Sequence, residues 1–374
     1  MDIYSFLDET SKNSFSLIAS VLEPYGAELF FAGGCVRDAL LGFIPKDFDI
    51  EVYGIDVDDF EKALESIGAV GVGKSFFVYR LANFDISLPR SETKTGVGHN
   101  AFETVVVGDR RLACSRRDFT VNAMLVNAKN GELVDFFGGQ EDLRAKRLRA
   151  VNEQSFKEDS LRVLRAMQFA ARFDFRIEPC TLKLCNSISL DDISKSRIFA
   201  EFEKLFSGAY QIKGLYYFFR LGIAVKLFGL SIELKKLVKI SRELKKSYSF
   251  FGEPKEGAFL YQLFCGMQIN KNQFLDKIGA PNSQYKLFAL QKRAPQKIND
   301  RFLVGLSLKM PISKWLGAYK SGTIERAKRL CIWDARYGPQ VTHQKIISLG
   351  FKNGEISRNY KLMLSQEIRE KFRS

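Results

Sequence analysis

Histidine is almost missing from this chain: among 374 residues only His99 and His343 occur. That excludes a His-rich zinc site and an appended HD-type phosphohydrolase domain, since either needs several imidazoles around its metals. The six cysteines (Cys35, Cys114, Cys180, Cys185, Cys265 and Cys331) include no CxxC pair. Such scattered thiols suit a reducing compartment, so a cytoplasmic location is expected. Cys180 and Cys185 have no further ligands near them in sequence and read as structural. No apolar run reaches the ~18 residues of a membrane span. The richest stretch, GLYYFFRLGIAVKLFGL, is interrupted by Arg220 and Lys226. Met1 to Thr10 carries acids and no basic segment, so no secretory signal is expected there.

What is present is ordinary for a globular chain: 46% hydrophobic and 27% charged residues, which argues against wholesale disorder. The length suggests two or three domains at roughly 100–200 residues each, with cores that need no disulfide staples. The 33 Phe are an excess and point to packed helical layers rather than a cofactor box. Charge is divided unevenly. Residues 1–150 hold 17 Lys and Arg against 23 Asp and Glu, a net −6, whereas residues 151–374 hold 40 against 20, a net +20. An acidic head joined to a basic body suits chemistry at one end and polyanion binding at the other.

An amphipathic opening segment, residues 3–24, leads into a short buried strand from Glu28 to Ala32. Gly33-Gly34 and the helical stretch CVRDALLG follow, then a strand from Asp47 to Tyr53 in which acidic and apolar residues alternate. DVDDFEKALESIG reads as an N-capped helix ending at Gly68. SFFVYRLANFDISLP and MLVNAKNGELVDFF read as hairpins, the second with Asn130-Gly131 at a tight turn. Strands mixed with helices over residues 1–150 predict an α/β or α+β head. From Glu158 onward the apolar spacing is close to 3.6 and predicts helices to the end, with breaks near Gly252-Glu-Pro254, Ala280-Pro281 and Met310-Pro311.

Asp47 and Asp49 stand at i and i+2 of the second strand, so period two places both on one face. Such a pair can hold Mg²⁺, which takes one or two carboxylates together with substrate phosphates. A DxD alone is a weak signal; its position behind Gly33-Gly34 strengthens it, because a Gly pair at a strand-to-helix turn lets backbone N–H groups approach phosphate. Arg37, one turn later, is placed to clamp the same anion, and Asp85 on the following hairpin offers a third carboxylate.

GGCVRDALLG followed by KDFDIEVYG resembles the signature of the DNA polymerase beta-like nucleotidyltransferases, and specifically of the class II tRNA nucleotidyltransferase (CCA-adding) and bacterial poly(A) polymerase family. SRRDFTVNAM at 115–124, DFFGG at 135–139, EDSLRVLRAMQF at 158–169 and SRIFAEFEKLF at 196–206 resemble further blocks of that family in the same order. The resemblance covers about 200 residues; the remaining helices match in character only. It implies an α+β head with a mixed sheet over residues 1–150, a helical neck over 151–215 with base recognition, and an all-α body and tail over 216–374 that binds tRNA. It further implies Asp47 and Asp49 as catalytic metal ligands with Asp85 in support, and Gly33, Gly34 and Arg37 at the triphosphate. Arg117 would take phosphate or ribose, and Asp118 would lie near the 2′-hydroxyl. Asp159, Arg162 and Arg165 would face the incoming base, with Glu158 steering Arg162.

The base-facing group has a chemical rationale. Asp159 and Arg162 are i, i+3 on a predicted helix and share a face. An acceptor beside a donor matches an amine beside a ring nitrogen, as cytosine and adenine present them; guanine and uracil present the reverse order. The pair would thus select C and A without a template. In isolation the same residues also fit a surface salt bridge.

Gln168 stands where many relatives have Arg, and RLACS before the RRD block lacks their acidic pair. Cys114 there reads as a small buried filler, and His99 lies in RSETKTGVGHNAF, expected to be a mobile loop. Lys235, Lys236, Lys239, Arg242, Lys245 and Lys246 recur on one side of a helix, and Arg358, Lys361, Arg369, Lys371 and Arg373 form a second basic set. Both suit RNA phosphates. The expected activity is addition of CCA from CTP and ATP to tRNA 3′ ends with Mg²⁺, pyrophosphate leaving, with no protein partner and no membrane implied. The length of the loop region favours complete CCA over CC-only or A-only addition, and the absence of a longer basic tail disfavours a poly(A) product. A catalytically silent RNA-binding protein is the alternative of another class, disfavoured because Asp47 and Asp49 are present.

Overall fold

The computed structural model describes residues 2–72, 77–94, 102–253, 257–352 and 354–372. The chain divides into two compact units, residues 1–205 with 213–231, and residues 206–212 with 232–374. The segments expected as head and neck thus lie in the first unit except for 206–212, and that unit continues to Ser231.

The first unit is built on a seven-stranded mixed sheet. Its elements are α1 (Glu9–Leu22), β1 (Glu28–Ala32), α2 (Gly34–Leu40), β2 (Phe48–Tyr53), α3 (Val57–Ser66), β3 (Val70–Gly71), β4 (Val78–Leu81), β5 (Phe84–Ser87), β6 (Arg90–Lys94), β7 (Phe102–Val106), α4 (Arg110–Ser115), β8 (Met124–Asn127) and β9 (Leu133–Asp135). The sheet order is β3-β4-β5-β2-β1-β8-β9, with β2 and β5 parallel and the other neighbours antiparallel. Alternation on β2 decides which face does what. Phe48, Ile50 and Val52 are buried, and Phe48 stacks on Phe84 of β5 at 5.4 Å between ring centroids. Phe31 of β1 and Phe15 of α1 continue that aromatic layer, stacked at 5.2 Å. Asp8 starts α1 by accepting from the Ser11 N–H at 2.7 Å, an N-cap that fixes where the covering helix begins. With one face sealed by α1, the acidic residues of β2 are left on the other.

The expected hairpins are present at β4–β5 and β8–β9, the latter closed by residues 128–132 with Gly131 at φ 70°. The polar stretch expected as a mobile loop instead begins and ends as β6 and β7, an antiparallel pair from Arg90↔Val106 to Lys94↔Phe102. The alternation of Ser91, Glu92 and Thr93 carries no apolar face, which is why no strand was evident there. His99 lies outside the described residues.

The unit continues with α5 (Gly139–Arg144), β10 (Arg147–Leu148), α6 (Glu153–Glu158), α7 (Leu161–Phe173), β11 (Arg176–Ile177), α8 (Pro179–Ser187), α9 (Lys195–Phe206), α10 (Gln211–Arg220) and α11 (Ile223–Phe228). The short parallel β10–β11 ladder interrupts the expected helical run. A second interruption matters more: α6 and α7 are separate helices, because Asp159 between them is extended (φ −124°, ψ 101°). Its carboxylate accepts from the Leu161 N–H at 3.2 Å, offering the backbone a partner that competes with helix continuation.

The second unit is helical among the described residues, with α12 (Leu234–Phe251), α13 (Ala258–Met267), α14 (Lys271–Lys277), α15 (Asn282–Leu290), α16 (Asp300–Ser307), α17 (Thr323–Arg329), α18 (His343–Ser348) and α19 (Gly354–Lys371). Gly252 ends α12 in the left-handed conformation, and the breaks expected at 280–281 and 310–311 fall between helices. Its core centres on the fully buried Trp315 with Leu303, Leu306, Ile312 and Ile368, and the indole N–H donates to the Lys292 carbonyl at 2.8 Å. No helix among the described residues is long and apolar enough to cross a membrane.

Candidate functional site

Strand register brings the predicted carboxylates together. Asp49 of β2 lies directly opposite Asp85 of the parallel strand β5, and partners on parallel strands share a face. Asp47 precedes β2 by one residue and belongs to the same face by alternation. All three line a cleft of about 1040 Å³ within the first unit. Asp49 opens onto this cleft but is hemmed in by protein, so loss of hydration pushes its carboxyl up; Arg117 opposes the shift, and Asp85, Glu51 and Asp47 add to it. Arg80 grips Asp85 with two bonds of 2.6 and 2.9 Å. Among the described residues no three His, Cys, Asp or Glu side chains form a ready metal cage. An all-oxygen pair that leaves other positions to phosphate and water is the donor set that Mg²⁺ accepts. Asp47 and Asp49 therefore fit a hard divalent cation.

The wall beside the carboxylates begins at the Gly33-Gly34 turn. Gly33 has φ +69°, and a Cβ there would run into the Arg117 guanidinium and approach Asp49 Oδ2 to 3.4 Å. Its own N–H donates to the Met124 carbonyl at 3.2 Å, so its contribution is close approach rather than a free amide. Gly34 is under no such steric demand, and amides from here onward open the first turn of α2. Arg37 is only 5% exposed: Nε donates to Asp38 at 2.8 Å, Nη1 to Asn122 Oδ1 at 2.6 Å, and the guanidinium lies over the Phe169 and Phe173 rings.

The same Asn122 donates to Asp118 Oδ1 at 2.9 Å, and Asp118 Oδ2 accepts from Arg165 Nε at 2.6 Å. Burial alone would raise the Asp118 carboxyl, but Arg165, the Asn122 bond and Arg162 outweigh it and hold it below the usual range. Asp118 thus ties Arg37, through Asn122, to Arg165 of α7. Arg117 donates to Glu51 Oε1 at 2.5 Å, and Glu51 accepts from the Tyr53 hydroxyl at 2.7 Å. Burial works against the charge on Arg117, yet Glu51, Cys114 and Asp49 hold its proton more firmly than usual.

The residues expected to face the base reach the cleft by a different route from the one expected. Asp159 and Arg162 both line it, but Asp159 precedes α7 instead of sharing a helical face with Arg162. Asp159 pairs with Arg197 of α9, at 3.1 and 3.2 Å. Arg162 donates to the Ser155 and Arg116 carbonyls at 2.8 and 2.5 Å, and burial pushes its pKa down. The expected i, i+4 pairing of Glu158 with Arg162 is replaced by these carbonyl bonds, because Glu158 ends α6 and no longer sits one turn before Arg162 on one helix. Arg165 lines the cleft beside them.

Sequence reasoning missed Glu51, Asn122 and Arg197. Glu51 was readable as the third acid of the Asp47-Asp49 alternation; Asn122 and Arg197 depend on long-range packing that no local pattern shows. Gln168 is buried on α7, and its Oε1 has no hydrogen-bond partner. Cys114 is buried, which pushes its thiol up to about 12, as a filler rather than a nucleophile. Cys180 is exposed and Cys185 buried, both free.

The chain has relatives among known proteins. Residues 29–149 match the family model of the poly A polymerase head domain, and residues 174–230 match that of the probable RNA- and SrmB-binding site of polymerase A. The chain is 34% identical over 277 residues to the CCA-adding enzyme of Lactococcus lactis subsp. lactis, a match spanning 71% of this chain and 67% of that one. It is 38% identical over 191 residues to the multifunctional CCA protein of Nitrosococcus oceani, covering 49% of this chain and 46% of the relative. In fold it is similar to the Bacillus stearothermophilus CCA-adding enzyme solved with CTP, with a TM-score of 0.70 at 21% identity over 96% of this chain and 93% of the other. A shared head, a shared RNA-binding segment and a relative matched over two thirds of its length establish that the chain belongs to the class II tRNA nucleotidyltransferase and bacterial poly(A) polymerase family.

Proposed function

We propose that this chain adds CCA to the 3′ end of tRNA from CTP and ATP, without a nucleic-acid template and in the cytoplasm. The observation that carries the reading is the convergence, in one cleft, of Asp47 and Asp49 with the Asp159–Arg162 acceptor and donor. In the reaction the terminal 3′-oxygen forms a bond to the α-phosphorus of the nucleotide as the bond to the β-phosphate oxygen breaks, and pyrophosphate leaves. Family membership implies a divalent metal; we infer Mg²⁺, held by Asp47 and Asp49, which when bound would acidify the attacking hydroxyl and neutralise the leaving phosphates. Asp85, gripped by Arg80, adds fixed negative charge beside that pair. Gly33 lets Arg117 come close to the turn, where it and Arg37 present positive charge to the triphosphate. Asp118 orients Arg165 and Asn122, and Asp159 with Arg162 would accept from the amine and donate to the ring nitrogen of C or A. The +20 charge of residues 151–374 supports binding of tRNA by the helical part, with an exposed basic stripe on α12 as its surface.

The test uses tRNAs ending before CCA, after C and after CC, each offered the four nucleotides singly and then CTP with ATP. The expected result is C, C and then A, with UTP and GTP refused. Only C, only A, or a continued A tail would replace CCA synthesis by the narrower or poly(A) product. Tight tRNA binding with no incorporation would establish the catalytically silent alternative.

A further inference from the structure

Asp159 cannot owe its aim to helix geometry, because its backbone is extended between α6 and α7. Its direction is set by two donors from different parts of the fold. The Leu161 N–H reaches Oδ1 at 3.2 Å, and Arg197 Nη2 reaches Oδ1 and Oδ2 at 3.2 and 3.1 Å. Arg197 comes from α9, 38 residues away in sequence, and both side chains are about one-third exposed (33% and 29%) on the cleft wall. A carboxylate has about four lone-pair positions. Three contacts fix its plane and still leave Oδ2 able to accept from a ligand amine.

Arg162 is anchored separately, on the Ser155 and Arg116 carbonyls, through two of its five N–H donors. Acceptor and donor are therefore held by independent supports, and their spacing is not set by a bond between them. We propose that Arg197 is a positioning residue for nucleotide choice: it orients the Asp159 carboxylate so that it meets the amine of cytosine or adenine while Arg162 meets the ring nitrogen. This inference rests on the reading that Asp159 and Arg162 face the base. Without Arg197 the carboxylate keeps only the Leu161 amide and is free to rotate about its side-chain bonds. A rotated carboxylate no longer penalises a carbonyl at that edge, so uracil and guanine are refused less strictly.

The test compares full-length wild type, Asp159→Ala, Arg197→Ala, Arg197→Gln, Arg197→Lys and the Asp159→Ala/Arg197→Ala double variant, each checked for folding by thermal melting. Single-nucleotide kcat/KM is measured with CTP, UTP and GTP on tRNA ending before CCA, and with ATP, UTP and GTP on tRNA ending after CC. Misplacing a reading group should reduce the C-and-A over U-and-G ratio roughly 10- to 100-fold in Arg197→Ala and in the milder Arg197→Gln. Arg197→Lys should recover part of that ratio, because an ammonium can still reach one carboxylate oxygen. The double variant should discriminate no worse than Asp159→Ala alone. Arg197→Ala and Arg197→Gln proteins that lose rate equally for all four nucleotides, with the ratio intact, would overturn the proposal and leave Arg197 a structural ion pair. An unchanged ratio in folded Asp159→Ala would instead remove the base-reading assignment itself.

Discussion

The two units use positive charge in opposite ways. In the first, Arg37, Arg117, Arg162 and Arg165 are buried or half-buried, and each is tied to a named acceptor: Asn122 and Asp38, Glu51, two main-chain carbonyls, and Asp118. In the second, Lys235, Lys236, Lys239, Arg242, Lys245 and Lys246 are spread along α12, all exposed, with Lys246 beside Glu243, and Arg358, Lys361, Arg369 and Lys371 stand exposed on α19, with Arg373 outside the described residues. Buried, bonded guanidiniums have direction, so they can hold a phosphate or a base edge in one place. Exposed cationic side chains without a fixed partner attract a polyanion from several ångströms away but specify no geometry, and salt screens them. The net charge of +20 over residues 151–374 therefore hides the distinction that matters, which is whether each charge is already committed to a partner.

The largest effect should come from breaking the directed side. Asp47→Ala or Asp49→Ala should lower incorporation by about 10³-fold or more, since these carboxylates are the proposed holders of the divalent cation, while tRNA affinity stays within about twofold. An equal fall in tRNA binding would contradict the division of labour. Asp49 adds a stability test. Its carboxyl is pushed up in the fold, so the folded state favours the protonated form, and stability rises as pH falls through that raised value toward the ordinary 3.8. At neutral pH without metal, Asp49 is thus a cost to folding. Asp49→Asn should raise the melting temperature of metal-free protein even as it abolishes activity; a lower melting temperature would show that the attraction of Arg117 outweighs the loss of hydration.

An intermediate effect should come from the undirected side. Lys235, Lys239 and Arg242 lie at i, i+4 and i+7 of α12, on one stripe. Replacing all three by Gln should reduce the slope of log affinity against log salt by roughly 0.7–0.9 for each phosphate that is no longer neutralised. KM for CTP should not move, because the cleft proposed for the nucleotide lies in the first unit. Binding isotherms at several salt concentrations decide this, and an unchanged slope would show that α12 is only a solvated face.

The same contrast explains what was legible in the sequence. The strand carrying Asp49 just after Asp47, the Gly33 turn and the helical texture after Glu158 are local patterns, so periodicity and turn chemistry reveal them. The opposition of Asp49 and Asp85 depends on β2 and β5 being parallel and in register, which no local pattern states. The break at Asp159 was partly readable, since Asp-Ser is a sequence that starts helices, yet the 3.6 period of the segment that begins at Glu158 conceals it. The Asp118–Asn122–Arg37 relay and the Arg197–Asp159 pair join distant segments and became visible only once the chain was folded.

The smallest effect tests whether the second unit contains any directed charge of its own. Glu243 of α12 accepts from the Tyr319 hydroxyl at 2.7 Å and from Lys320, and pairs with Lys246 at 3.3 Å. Burial would raise its carboxyl, but the bonds from Lys320 and Tyr319 dominate and bring it from 4.5 down to about 2. A depressed carboxyl contributes stability that is fully present above about pH 4.5 and fades as pH falls toward 2. Glu243→Gln should therefore cost about 1.5–3 kcal/mol at neutral pH, the scale of hydrogen bonds to a charged group. Urea midpoints of the two proteins should converge below pH 4.5, as the unfolded wild-type chain takes up a proton on Glu243 that the folded protein resists until about 2. Nucleotide selectivity at neutral pH should be the same in both. A gap in midpoints that persists unchanged down to pH 3 would mean that the Gln substitution acts through packing, and that the charge of Glu243 organises nothing around it.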